Sequence, residues 1–296
     1  MTNYQITNYQ SGLLEKQEEI TQKVTKDWTS FPQLSIKQLR KNYSRPDFDP
    51  ELLKYCFLDD ELIGYIISKI KFDFLNSRLI GQIQFPIVLP GHEQAVPLLY
   101  EEVIKTLKKK KANIIETRAS EAWGKTIEYT KKFGYTFKKL LSAELRANLQ
   151  EMDIEEPGLP FEEFSISKDG SQFIKKLIDF WGIQEEEAKA YLDYLDHIED
   201  RIISLPAYFE EGIIVTHGAV YRTKNNPRGA FVFVSLPGSD KQFKALIAKI
   251  ARVAKNNGAD YLITQLDDLD IKLLERFQAE GFSLEARINL YEKKLV

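Results

Sequence analysis

The chain has 296 residues, 43% hydrophobic and 29% charged, with 41 Lys+Arg against 44 Asp+Glu for a formal net charge of -3. That length suits about two average domains and buries a core without covalent staples. The balance excludes the chain-wide basic excess typical of proteins that live on a phosphate backbone, so nucleic acid is not expected as a partner. The single cysteine, Cys56, excludes a disulfide framework or a four-cysteine zinc site within the chain. No window approaches about 18 uninterrupted apolar residues, and the start lacks a charged segment followed by an apolar core. The expected setting is therefore cytoplasmic, with no membrane partner.

In chain order, the spacing predicts helices over Leu13–Trp28 and Ser35–Tyr43, then strands over Leu52–Leu58, Leu62–Phe72 and Leu79–Leu89. The turn Leu89-Pro90-Gly91 leads into an amphipathic helix with Val96, Leu99, Tyr100, Val103 and Leu107 on one face. A strand at Asn113–Thr117 follows, then a helix from about Ser120 to Gly134 and a closing strand. The acidic, proline-rich segment at 153–163 reads as a linker between domains 1–152 and 164–296. Beyond it come helices over Ser171–Trp181 and Glu185–Arg201, and strands over Ile202–Phe209, Ile213–Tyr221 and Ala230–Leu236. A second turn, Leu236-Pro237-Gly238, opens a helix carrying Phe243, Leu246, Ile247, Ile250, Val253 and Ala254. A strand at Asp260–Thr264, a helix from about Asp270 to Gly281 and a last strand complete the chain.

The second series repeats the first at an offset of 147 residues, with ten identities over the 46 positions Leu89–Gly134. Ordinary composition gives about three. The matches fall on the turn, the helix stripe, the strand end and the closing glycine, which is the pattern of a duplicated fold.

The order of elements resembles the GNAT superfamily of acyl-CoA-dependent N-acetyltransferases in tandem. The Leu-Pro-Gly turns and the helix endings Lys132-Phe133-Gly134-Tyr135 and Ala279-Glu280-Gly281-Phe282 carry the resemblance. It implies an α/β (α+β) fold of two GNAT-like domains, each a mixed, mostly antiparallel central sheet flanked by helices. It also implies acetyl-CoA as acyl donor, lying between two splayed strands with its pyrophosphate on the following helix N-terminus. In the first copy that places donor binding on Ile87, Val88, Leu89, Gly91, His92, Glu93, Gln94, Ala95 and Val96. The family's loop pattern falls on Pro90, Glu93 and Ala95, or on Gly91, Gln94 and Val96, without its central glycine. In the second copy it falls on Pro237, Asp240 and Gln242, or on Gly238, Lys241 and Phe243.

Attack of an amine on a thioester needs a base and an acid. His92 is a candidate base because imidazole titrates near neutrality. Glu93 and Glu116 are alternatives. The family's tyrosine acid would fall on Thr130 or Phe277, and Tyr129 stands beside the first. His197 and His217 complete three scattered histidines without metal-ligand spacing, so no metal site is expected. The Lys105–Lys111 run reads as a solvated helix end, with a contact to nucleic acid or to the CoA 3′-phosphate as the alternative, and the loop Tyr43–Pro50 reads as a pocket wall or as a packing element. The expected activity is acetyl transfer to an amine of a small molecule or peptide. At most one half is active, and the N-terminal half suits the donor better through Gln94 and Ala95. The alternatives are a non-catalytic module binding CoA or a partner, and an aminoacyl or peptidyl transferase.

Overall fold

The computed structural model describes residues 3–28, 31, 33–74, 76–152, 154, 158–223, 228–267 and 270–295. It divides into two compact units, residues 1–141 with 286–296 and residues 142–285.

Unit 1 opens with β1 (Tyr4–Asn8), α1 (Leu14–Val24) and α2 (Ile36–Tyr43). The antiparallel run β2 (Leu53–Leu58), β3 (Glu61–Asp73) and β4 (Arg78–Val88) follows. Next come α3 (Ala95–Lys109), β5 (Ile114–Ala119) and α4 (Thr126–Lys132). β1 pairs β2, and β4 pairs β5 in parallel across α3. One core lies under α3, where Leu99, Val103 and Leu107 meet Ile83, Phe85 and Ile115. A second lies under α1, where Ile20 meets Tyr55, Tyr65 and Ile87. The α4 helix starts at Thr126, later than the Ser120 start expected from sequence. Ser120 instead accepts from the Ala122 N–H in a turn that ends at Gly124, whose φ is +51°.

Unit 2 contains β7 (Glu162–Glu163), α5 (Ile166–Trp181), α6 (Glu185–His197), β8 (Ile202–Ser204) and β9 (Pro206–Glu210). It continues through β10 (Ile213–Arg222), β11 (Gly229–Leu236), α7 (Asp240–Asn256), β12 (Tyr261–Asp267) and α8 (Leu274–Ala279). Its pairings repeat unit 1: antiparallel β9–β10 and β10–β11, then a parallel β11–β12 pair across α7. Phe243, Leu246 and Ile250 fill the core under α7, and Phe173, Leu177 and Leu195 fill the one under α5 and α6.

The units are not consecutive halves, because β6 (Thr136–Asn148) and β13 (Ser283–Lys294) each run from one unit into the other. Residues 289–294 of β13 pair with β5 in unit 1, and residues 142–148 of β6 pair with β12 in unit 2. Each unit is therefore closed by a strand from the far end of the other copy's sequence. Residues 136–147 contain no Gly, Pro, Asn or Asp, so β6 continues without a turn, and the long-range pairs of β6 with β12 and of β13 with β5 set which strand closes which unit.

This division differs from the linear one expected at 153–163. Within that segment Ile154 and Phe161 pack on the unit 2 core, and Arg252 donates to the Ile154 carbonyl at 3.1 Å. Its residues 153 and 155–157 lie outside the described residues.

Candidate functional site

In unit 1 the printed β4–β5 pairs run from Ile80 opposite Ile114 to Ile83 opposite Thr117. Beyond them, residues 84–88 of β4 stay with β3, so the two parallel strands open toward the C-terminal end. The chain then turns through Leu89 to Gln94 into α3. This 15-residue helix has no side-chain cap, and Pro97 sits in its first turn where a missing N–H breaks no helical bond. Gly91 adopts φ +89°, and a Cβ there would meet nothing within 4 Å.

The sequence-predicted loop residues gather at this opening. The His92 N–H donates to Leu89 O at 3.2 Å, and Ala95 N–H to His92 O at 2.9 Å. The His92 ring meets Tyr4 edge-on, with Nδ1 3.3 Å from the Tyr4 hydroxyl. The exposed Glu93 carboxylate accepts from the Gly91 N–H at 3.4 Å. Its pKa is held below the ordinary carboxylate value first by its own backbone N–H, then by that of Gly91. Ile87 and Ala95 are buried while Gly91, Glu93 and Gln94 are exposed, so the loop offers backbone over an apolar floor. Half-buried Tyr129 reaches the same region. Burial, and then the Glu93 charge, raises its hydroxyl above the ordinary tyrosine value.

Glu116 sits apart from that loop. It projects from β5 onto the sheet face opposite α3, 3% exposed, with Lys71 at 2.9 Å and Lys138 at 2.8 Å. Burial alone would raise its carboxyl, but hydrogen bonds from Lys138 and Lys71 outweigh it and lower the pKa. The loop Tyr43–Pro50 is filled from within: Phe48 stacks on Tyr43 at 4.8 Å, and Tyr9 lies edge-on to both. In the Lys105–Lys111 run, Lys105 pairs with Glu102, and Lys110 with Asp49 and Glu51. Thr130 donates to the Ile127 carbonyl, a structural bond at the position where the family has its tyrosine.

Unit 2 repeats the geometry and closes it. Its β11–β12 pairs also stop early, at Phe231 opposite Ile263. The Trp181 indole donates to Ser235 O at 2.6 Å, on the part of β11 that has left β12. Its ring packs against the clusters on both faces of the sheet, so it fills the gap, with Lys272 4.3 Å above it. The α7 N-terminus is satisfied by a capping box in which Ser239 accepts from Gln242 N–H and Gln242 Oε1 accepts from Ser239 N–H. Arg276 donates to Gly238 O and Ser239 O at 3.2 and 2.8 Å, pairs with Asp240 and covers the Phe243 ring. A Cβ on Gly238, φ +60°, would overlap Thr216 Oγ1. Phe277, at the second tyrosine position, is wholly buried.

His217 is also wholly buried, its Nδ1 2.5 Å from Ser235 Oγ and its ring against Phe164 and Phe173. Burial pushes its pKa down to about 3. Sequence reasoning missed Trp181 and Arg276; the available signal was a tryptophan near the end of the first helix in each copy, Trp28 shortly beyond α1 and Trp181 as the last residue of α5. Trp28 has a different fate, lying edge-on to Phe31 and against Gly124. Among the described residues no group of three or more His, Cys, Asp or Glu could hold a metal ion. Nor is any helix there long and apolar enough to cross a membrane.

Splayed parallel strands followed by a helix N-terminus, twice in one chain, define the tandem GNAT fold. Solved structures agree. A tandem GNAT protein from the clavulanic acid biosynthesis pathway, solved without acetyl-CoA, matches over 99% of this chain and 98% of its own, with TM-score 0.63 and 10% identity. A GCN5-related N-acetyltransferase from Sphaerobacter thermophilus matches over 98% and 95%, with TM-score 0.61 and 12% identity. A GNAT-family acetyltransferase from Colwellia psychrerythraea matches over 98% and 100%, with TM-score 0.61 and 14% identity. No protein-family model matches the sequence, and no curated protein does. The likeness is one of fold.

Proposed function

We propose that this chain transfers an acyl group, acetyl in the first instance, from acyl-CoA to an amine, with the donor held in unit 1 alone. One contrast carries the reading: α3 begins uncapped beside an open Gly91, whereas α7 is capped, clamped by Arg276 and shut by Trp181. The α3 start has no side-chain cap; the Ala95 and Val96 amides turn back onto His92 O and Glu93 O, which leaves the Glu93 and Gln94 N–H groups and the positive dipole end to meet an anion. Ile87, Val88 and Leu89 would take the donor's amides along the strand, and Gly91 to Val96 its phosphates.

The bound thioester supplies an activated carbonyl. With Tyr4 accepting from His92 Nδ1–H, His92 Nε2 carries the lone pair that takes the amine proton. The C–N bond forms as the C–S bond breaks, and the Tyr129 hydroxyl, kept protonated by its raised pKa, gives the departing sulfur its proton. Glu93 is an alternative proton acceptor, displaced from the loop when phosphates arrive. Glu116, engaged by two lysines, organises its sheet face instead.

Titration of the full chain with acetyl-CoA tests the donor site. One site per chain is expected, with stabilisation of about 2.7 kcal/mol at a hundredfold excess over Kd. No stabilisation by acetyl-CoA or CoA overturns the reading. A binding module without turnover is the second reading, favoured by the Glu93 carboxylate on the Gly91 N–H where a phosphate would rest. Thiol release across an amine panel separates the two.

A further inference from the structure

The face of the unit 1 sheet opposite α3 is not used by the donor site. One row across four strands reads Lys69, Gln82, Glu116, Glu292, set by the pairs Lys69–Gln82, Gln82–Glu116 and Glu116–Glu292. The next row toward the opening reads Ile67, Gln84, Arg118, Leu290, where Arg118 is the first β5 residue beyond the last β4 pair. Lys71, Lys138 and Lys294 lie on the same face, the first two on Glu116 and the last opposite Ile114. Five cations thus meet two carboxylates, and Glu116 and Glu292 are already engaged by Lys71 and Lys138. Lys69 and Arg118 are exposed, and among the described residues neither makes an ion pair. Strand spacing puts their Cα atoms roughly 12 Å apart, within reach of one ligand for side chains this long.

The fold does not demand this face. The matching rows of unit 2 read Tyr221, Phe231, Ile263, Arg146 and Ala219, Phe233, Gln265, Glu144. There Tyr221 stacks on Phe231 at 5.2 Å, and α6 covers the rows with Tyr194 on Tyr221 and Tyr191 on Phe233. In unit 2 α6 covers the aromatic residues of these rows, whereas in unit 1 the matching rows are polar and basic, with Glu116 buried beneath its lysines and Lys69 and Arg118 exposed.

We propose that the acceptor amine carries an anionic group, a carboxylate or a phosphate, which Lys69 and Arg118 hold on the open sheet face beside the strand opening. The proposal rests on the unit 1 reading above and names the acceptor class. An anionic group between two unpaired cations in a partly apolar setting gains charge-assisted hydrogen bonds, and Arg118 can bind it bidentately. The neutral Gln82 and Gln84 between them add donors without repulsion.

Two experiments on the full chain test it. With CoA saturating the donor site, inorganic phosphate and glutarate are titrated by calorimetry into wild type and into Lys69→Gln/Arg118→Gln. Binding of either anion that weakens at least tenfold in the double variant supports the proposal, and the tighter of the two identifies the group. No binding of either anion, or equal binding in both proteins, overturns it. Repeating the titration without CoA in Gly91→Glu separates the two readings: an anion site that survives there stands even if acyl-CoA binding fails. In turnover, 4-aminobutyrate is compared with 4-aminobutanamide, and O-phosphoethanolamine with ethanolamine. The anionic member is expected to show at least tenfold higher kcat/KM, a preference erased in Arg118→Gln while KM for acetyl-CoA holds. Equal rates within both pairs, or a preference that survives both substitutions, overturn the acceptor assignment.

Discussion

Two copies of one fold have diverged at the same place in opposite directions. In unit 1 the parallel strands part, the helix after them starts uncapped, and Gly91 faces open space. In unit 2 the strands part in the same way, but Trp181, Ser239, Gln242 and Arg276 supply from within what a ligand would otherwise supply. The indole N–H takes the strand carbonyl, the capping box takes the helix amides, and the guanidinium takes the turn carbonyls. Unsatisfied backbone groups are costly when buried, so a cleft that has no ligand must satisfy them itself. The difference separates a unit whose helix start is closed by side chains from one whose helix start carries no side-chain cap and leaves the Glu93 and Gln94 amides outside the turn's own hydrogen bonds.

That contrast can be broken most directly at the plug. Trp181→Ala should cost about 3–5 kcal/mol, since it empties a packed site and strands the Ser235 carbonyl. Trp28→Ala, at a ring half-buried like that of Trp181 but with no hydrogen-bonded carbonyl to strand, should cost less by about 1–3 kcal/mol. Urea denaturation of the two variants checks this, and equal losses would mean that Trp181 is not a plug.

Next comes the donor loop. Gly91→Glu sets a carboxylate and a strained left-handed backbone where phosphates would lie, and should weaken acetyl-CoA binding by roughly a hundredfold or more. Gly91→Asn, tolerant of that backbone region, should retain it. Lys241→Glu, at the exposed unit 2 position that matches Gln94, should leave affinity unchanged. A loss in Lys241→Glu would move the site to unit 2.

The acid response should also divide the units. His217 has its pKa pushed below its ordinary 6.5 to about 3, so it favours the folded state when neutral. Its contribution is present above pH 6.5 and lost as pH falls toward 3. Within unit 2, Glu144, raised to about 7, and Asp270, raised to about 6, both by burial first, act in the opposite sense. Their contribution is present at low pH and lost as pH rises. His217→Gln should therefore flatten the acid limb of stability relative to wild type. In unit 1, Glu116 is lowered below its ordinary 4.5, so its contribution begins to fall only near that pH. An unchanged acid limb in His217→Gln would show that burial there is not what sets the response.

The smallest expected effect is at Glu93. Removing its charge from the helix start by Glu93→Gln should tighten acetyl-CoA binding about two- to fivefold at low salt. Weaker binding in that variant would mean that the carboxylate supports the loop instead of competing for it.

Much of this was legible in the sequence because it is local. The stripe Leu99, Val103, Leu107 faces the α3 core as its spacing requires, and the matching stripe in α7 does the same. The Leu-Pro-Gly turns, the glycines at the helix ends and the 147-residue offset marked two copies of a strand–helix–strand unit. The loop His92 to Val96 could be placed at a helix start because that position follows from the turn before it. Glu116 could be placed on its strand, but not beside Lys71 and Lys138, which come from β3 and β6.

The elements, their order and their duplication follow from turn chemistry and apolar period, which act over a few residues. Which strand closes which unit, and which helix start lacks a side-chain cap, is visible in the folded chain alone. Strand exchange follows from long-range pairing of β13 with β5 and of β6 with β12, which local pattern does not specify. The plug in unit 2 depends on Trp181 meeting a carbonyl 54 residues away, and the clamp on Arg276 meeting one 38 residues away. Contacts of that range are set by packing the whole unit, and they are what distinguishes two copies that the sequence reads as the same.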